Sequence, residues 1–186
     1  MPPTLPVSRV VVVAGRRVDA PGAPERFPAR SRDLVCARIA DRLRALGATA
    51  VVSSAACGAD LLALQAARAL GLRARVILPF EPARFRATSV VDRPGDWGPV
   101  FDEVCGAAGG DLVVLARAGE GDAAYAAVNR ALLDEAALLA DAARPRAGVC
   151  ALVVWEGAPR GEGDLTADLA EGARARGWVV ETVATR

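Results

Sequence analysis

Val51-Val52-Ser53-Ser54-Ala55-Ala56-Cys57-Gly58-Ala59-Asp60, running directly into Leu61-Leu62-Ala63-Leu64, reads as a strand, a turn of small residues and the first turn of a helix. Such a junction brings free backbone N–H groups and the positive end of a helix dipole to one point, which suits an anion such as phosphate. Upstream, Val10-Val11-Val12-Val13 is the continuous β-branched run of a strand buried on both faces. It ends in Ala14-Gly15-Arg16-Arg17, so small and cationic residues gather at a second strand terminus. Together the two junctions point to a pocket for a nucleotide-like ligand.

Working outward, helices and strands alternate. Residues 21–30, with Pro21, Gly22, Pro24 and Pro28, form a loop. Ser31 stands where it can cap a helix whose apolar stripe is Val35, Ile39, Leu43 and Leu46, and Gly47 occupies the C-cap. The second strand is expected at 49–53, the second helix at 60–70 with Gly71 as its stop, and the third strand at 75–78, halted by Pro79. Residues 81–98, which include Pro82, Pro94 and Gly95, read as an irregular segment across the open end of the sheet. A helix follows at 99–107 with Val100, Phe101 and Val104 inward, then a strand at 111–115 and a long helix at 123–142. A fifth strand at 149–155, a loop at 157–163, a helix capped by Asp164 and a last strand at 178–183 complete the order. This alternation predicts an α/β fold: a single doubly wound, mostly parallel, Rossmann-like sheet of about six strands flanked by helices. With no internal repeat or linker, residues 1–186 read as one domain.

Composition narrows the chemistry. Of 186 residues, 53% are hydrophobic and 24% charged, enough for a substantial core. A formal net charge of +1 offers no global attraction to DNA, RNA or an anionic membrane. All 23 basic residues are arginine and histidine is absent. A Schiff-base or P-loop lysine, a Ser-His-Asp or Cys-His arrangement and a His-ligated metal are thereby excluded. No metal and no cofactor are expected. Cys36, Cys57, Cys105 and Cys150 are widely spaced without a C-x-x-C pair, and three of them fall in helix or strand patterns as small buried hydrophobes. A reduced, cytoplasmic setting is the expectation, with no membrane span and with prolines where a signal peptide would be basic and apolar.

Ligands of open α/β sheets sit beyond the carboxyl ends of the strands, so the loops there hold the candidates. Gly15 permits close backbone approach, and Arg16 or Arg17 can fork a phosphate, the alternative being a solvated arginine pair. Ser53, Ser54, Gly58 and the following amides form either an anion cradle or a plain βα turn; neither G-x-G-x-x-G nor G-x-x-x-x-G-K-[ST] is present. Asp60 is a first-turn acid suited to a helix N-terminus, or a direct ligand. Glu81 is placed to bind a ribose hydroxyl or to remain a solvated loop charge. Tyr125 and Asn129, four apart, share a helix face. They suit a base and its sugar, or a core edge and a structural amide. Gly163 and the Asp164-Leu165-Thr166 helix start make a second anion-friendly terminus, or a flexible surface loop. For bond-cleaving chemistry the carboxylates at hand are Glu81, Glu156 and Asp164, with Glu81 and Glu156 the catalytic candidates.

These residues carry a resemblance. Val13-Ala14-Gly15-Arg16-Arg17, the 53–60 turn and Leu78-Pro79-Phe80 resemble the SLOG superfamily, which includes the Smf/DprA DNA-processing proteins and the Lonely Guy phosphoribohydrolases. The first turn is similar to that family's Gly-Ser-Arg or Gly-His-Arg, and the second to its Ser-Gly-x-Ala-x-Gly-x-Asp type. Cys57-Gly58-Ala59-Asp60 and the Ala-Tyr-x-x-x-Asn helix are most similar to bacterial members found alone or beside signalling modules. The resemblance implies that Gly15, Arg16, Ser53, Gly58 and Thr166 contact a nucleotide or nucleotide-derived ligand, and that the chain forms a homodimer. Two departures stand out. The late loop is Gly161-Glu162-Gly163-Asp164-Leu165-Thr166 where members carry Gly-Gly-Thr, and the glutamate of the Lonely Guy Pro-Gly-Gly-x-Gly-Thr-x-x-Glu pattern has no clear counterpart. Binding or sensing of a nucleotide-derived small molecule is therefore favoured, ahead of N-glycosidic hydrolysis or transfer on a nucleotide. Single-stranded DNA binding ranks third because the charge is near neutral.

Overall fold

The computed structural model describes residues 8–116 and 118–186. The expected lead at 1–8 falls outside them except for Ser8, as does Arg117 in the loop after the fourth strand. In chain order the elements are β1 (Arg9–Gly15), α1 (Arg32–Ala45), β2 (Ala48–Ser53), α2 (Ala59–Ala69), β3 (Arg73–Leu78), α3 (Pro82–Ser89), α4 (Gly98–Ala108), β4 (Leu112–Val114), α5 (Gly121–Ala142), β5 (Gly148–Trp155), α6 (Leu165–Ala175) and β6 (Val179–Ala184).

The valine run of β1 is buried on both faces because β1 lies inside the sheet, with β2 on one side and β5 on the other. Side chains alternate along a strand. Val11 and Val13 therefore join the core under α1, α2 and α4, while Val10 and Val12 join the one under α5 and α6. Among the described residues the six strands form one sheet in the order β4-β3-β2-β1-β5-β6, every neighbour parallel. The fold is the doubly wound, Rossmann-like α/β arrangement. From β1 the chain walks outward to β4, and α5 then carries it back to β5 beside β1. The connections from β1 and β5 leave in opposite directions, and the crevice this opens at their carboxyl ends is where ligands of such sheets bind.

Two local expectations are corrected. The segment predicted to be irregular contains α3, opened by Pro82. Proline suits the first helical turn because its φ is already helical and its missing N–H has no partner there anyway. Phe85 then anchors α3 in the core. Ser31 makes no capping hydrogen bond; a 3-10 turn at Ala29–Ser31 precedes α1 and leaves Ser31 near φ −86°, ψ 0°. A capping side chain normally requires an extended backbone. Asp164 has one (φ −73°, ψ 100°) and caps α6 as expected, accepting from the amides of Thr166 and Ala167. No helix among the described residues is long and apolar enough to cross a membrane.

Candidate functional site

A cavity of about 630 Å³ opens beyond the carboxyl ends of β1 and β2, walled also by α5 and by the segment that leads from β5 into α6, within the size range of small-molecule sites. Gly15, Ser54, Ala56 and Asp60 line it beside the ends of β1 and β2. Phe85, Tyr125, Val128 and Leu132 supply apolar wall, and Arg17, Arg26, Arg93 and Arg160 supply charge. Gly15 is required by packing: a Cβ there would collide with the carbonyl of Val154 and lie 2.5 Å from Cβ of Ala59. Gly58, at φ +102°, lets the turn press against β1's exit, where a Cβ would lie 2.6 Å from the carbonyl of Arg16.

Arg16 follows β1 directly and is only 3% exposed. Its Nε donates to Glu156 at 2.6 Å, and one terminal nitrogen donates to both oxygens of Asp164 at 2.8 Å. The other terminal nitrogen donates to Glu156 at 3.2 Å and to the carbonyl of Ala158 at 2.7 Å. All five N–H donors of the guanidinium are thus committed. Arg16 is a clasp that ties the ends of β1 and β5 to the cap of α6, and it has no donor left for the phosphate role read from the sequence. Burial would lower its pKa, but hydrogen bonds and charge from Glu156 and Asp164 outweigh that and raise it. Burial likewise opposes ionisation of Glu156 and Asp164, yet Arg16 and nearby donors hold both below the usual carboxylate range. Glu156 also accepts from Arg26 at 2.5 Å.

The anion cradle expected at the 53–60 turn is partly filled from within. The Cys57 amide donates to the Ser89 carbonyl and the Ala59 amide to the Arg16 carbonyl, both at 3.0 Å. Ser53 is fully buried, its hydroxyl on the carbonyl of Val13 at 2.9 Å. The N-terminus of α6 is occupied in the same way by the Asp164 carboxylate. Asp60 differs from both clasp acids. It lines the cavity and no cation pairs with it among the described residues. Burial pushes its carboxyl up to about 7, opposed by the Ala56 amide, the charge of Arg17, the Gly15 amide and the Ser53 hydroxyl.

Tyr125 and Asn129 both reach the cavity, as their four-residue spacing implied. The Tyr125 hydroxyl lies 2.9 Å from that of Ser89, and its ring meets Phe80 edge-on with centroids 6.1 Å apart. Asn129 donates to the carbonyl of Leu165 at 2.8 Å, binding α5 to α6. Thr166 lines the cavity, whereas Gly163 lies outside the lining on an exposed turn at φ +75°. Glu81 is exposed at the start of α3, also outside the lining.

No protein-family model matches the chain, and no curated protein matches it.

The cations left for a ligand are mostly ones the sequence did not single out. Arg17 contacts Asp92 and the thiol of Cys57, and its buried Nε has no partner. Neither the Arg93 nor the Arg160 side chain makes a hydrogen bond among the described residues; their nearest carboxylate oxygens are at 3.8 Å on Asp92 and 3.7 Å on Asp164. Arg93 stands in the segment read as crossing the open end of the sheet and Arg160 in the loop after the fifth strand, the one signal that could have marked them. The structure thus gathers Gly15, Arg16, Arg17, Ser54, Asp60, Tyr125, Asn129 and Thr166 at one cavity, and leaves Ser53, Gly58, Gly163, Glu81 and Glu156 behind or beside it.

Proposed function

We propose that this chain binds a nucleotide or nucleotide-derived small molecule in the cavity beyond the carboxyl ends of β1 and β2. The observation that carries this reading is the lining: Phe85, Tyr125, Val128 and Leu132 share one cavity with Arg17, Arg93 and Arg160. A base needs an apolar, partly aromatic surface, and a phosphate needs guanidinium donors not already spent. Arg93 and Arg160 meet that second need, and Asn129 keeps its side-chain oxygen for a sugar or base donor. The resemblance to SLOG domains supports the same class of ligand, through a different set of contacts from the one it implies.

Cleavage of an N-glycosidic bond is the second reading, and Asp60 favours it: a carboxyl near neutrality in the wall can exchange a proton with a substrate. Glu81 and Glu156 suit it poorly, one being off the cavity and the other held by two arginines. A thermal-shift series with nucleoside monophosphates, cyclic nucleotides, NAD and ADP-ribose, followed by chromatography of each mixture, tests both readings. A raised melting temperature with intact ligand is the expected result. Release of a free base would establish the second reading, and no shift with any member would overturn the first.

A further inference from the structure

We propose that Asp60 contacts the ligand as the neutral acid, donating a hydrogen bond to an anionic oxygen, so that binding is coupled to a proton held on this side chain. The proposal rests on the nucleotide reading and specifies how one residue serves it.

Position comes first. Asp60 lies in the first turn of α2, beside Gly15 and Ala56, in the wall of the cavity that holds the uncommitted arginines. Every other deeply held carboxylate at this end of the sheet has an arginine against it: Glu156 and Asp164 share Arg16, and Glu156 adds Arg26. Asp60 has no such partner among the described residues. An ionised Asp60 would repel a phosphate drawn in by Arg17, Arg93 and Arg160. A protonated one offers an O–H donor to the same group.

The charged surroundings make the linkage readable. Arg17 faces Asp60 from the exit of β1, Arg26 belongs to the loop after it, Arg93 follows α3, and Arg160 precedes α6. Guanidinium groups stay charged throughout the neutral range. Of the remaining groups, Asp19 accepts from the amides of Arg26 and Phe27, Asp92 pairs with Arg17, Asp122 is exposed at the start of α5, and the Tyr125 hydroxyl engages Ser89. Burial raises the Cys57 thiol above its ordinary 9.0. The chain has no histidine. Burial raises the Asp60 carboxyl to about 7, so a proton it holds on binding would show as a one-proton dependence between pH 6 and 8.

Calorimetric titration with cyclic AMP and ADP-ribose tests the proposal, because the phosphates of both probes keep a constant charge across this range. If only the neutral form binds, the Kd of the wild type weakens roughly tenfold from pH 6 to pH 8, while that of Asp60→Asn varies less than about twofold. A second reading uses the wild type alone. Titrations at pH 7.5 in two buffers of different ionisation enthalpy should report net uptake of more than about half a proton per ligand bound. Wild-type binding with a pH-independent Kd, an equal pH dependence in Asp60→Asn, or zero proton uptake would overturn the role of Asp60 and leave the nucleotide reading standing. Failure of the folded wild type to bind either probe at any pH would overturn both together.

Discussion

At the scale of single residues, Arg16 and Asp60 line the same cavity but behave oppositely, because Arg16 has two carboxylates against it and Asp60 has no cation paired with it among the described residues. Removing one member of a buried, hydrogen-bonded ion pair strands the remainder, at a cost of roughly 3–5 kcal/mol. Arg16→Ala takes the shared guanidinium from Glu156 and Asp164, leaving Glu156 with Arg26 and Asp164 with Arg160 at 3.7 Å, and denaturant unfolding should show a loss toward the lower end of that range. Arg16→Lys should recover only part of it, because an ammonium cannot reproduce the double fork. The pH signs also differ. Glu156 and Asp164 are held low in the folded chain, so the stability they add is present above the unfolded carboxylate range and fades as pH falls through their depressed values. Asp60 is raised from 3.8 to about 7. Its contribution is complete below the unfolded value and is lost as pH rises through about 7, at most roughly 4 kcal/mol in all. Melting temperature should therefore drop between pH 6 and 8 in the wild type, and Asp60→Asn should flatten that drop. A drop of the same size in Asp60→Asn would refute the assignment. The sequence showed Arg16 as a cation beside a glycine, but its partners lie 140 and 148 residues away, so nothing local could tell a clasp from a phosphate fork.

At the scale of elements, the local grammar was legible wherever one signal acted alone. The stripe Val35, Ile39, Leu43 and Leu46 is buried as its 3.6-residue period requires, and Gly47 ends α1 at φ +63°. It misled where one residue type has two uses. Pro82 reads as a breaker in a segment with Pro94 and Gly95, yet at a first turn it starts a helix, and Arg93 in the same segment was passed over. Gly15 was read as room for a ligand, whereas the crowding comes from β5 and α2. Gly15→Ala must move Val154 or Ala59, and a loss of about 1–3 kcal/mol by denaturant unfolding is expected. Asp164→Asn keeps a side chain able to cap α6 but removes one anion from Arg16. It should be milder than Asp164→Ala, which loses cap and charge together; equal losses would show that the cap contributes little.

At the scale of the molecule, alternation of strands and helices was enough to give a parallel, doubly wound sheet, because short crossover connections leave few other topologies. It did not give the strand order. Only that order reveals that β1 and β5 are neighbours, so that the loop after β1 and the segment entering α6 share one cavity with the 53–60 turn. The candidate site was therefore visible as a set of loops but not as a division of labour. Helix-end and strand-end positions read as anion sites are partly satisfied from within, by Asp164 at α6 and by backbone carbonyls at the 53–60 turn. Side chains from distant segments, Arg17, Arg93 and Arg160, are left to meet a ligand phosphate. Calorimetric titration of ADP-ribose at pH 6.5 into the wild type and into the Arg93→Ala/Arg160→Ala double variant tests this most directly. Two lost charge-assisted contacts should weaken binding at least about tenfold, with the melting temperature of the free protein unchanged. Equal affinity in both proteins, or no binding to the wild type, would contradict the account.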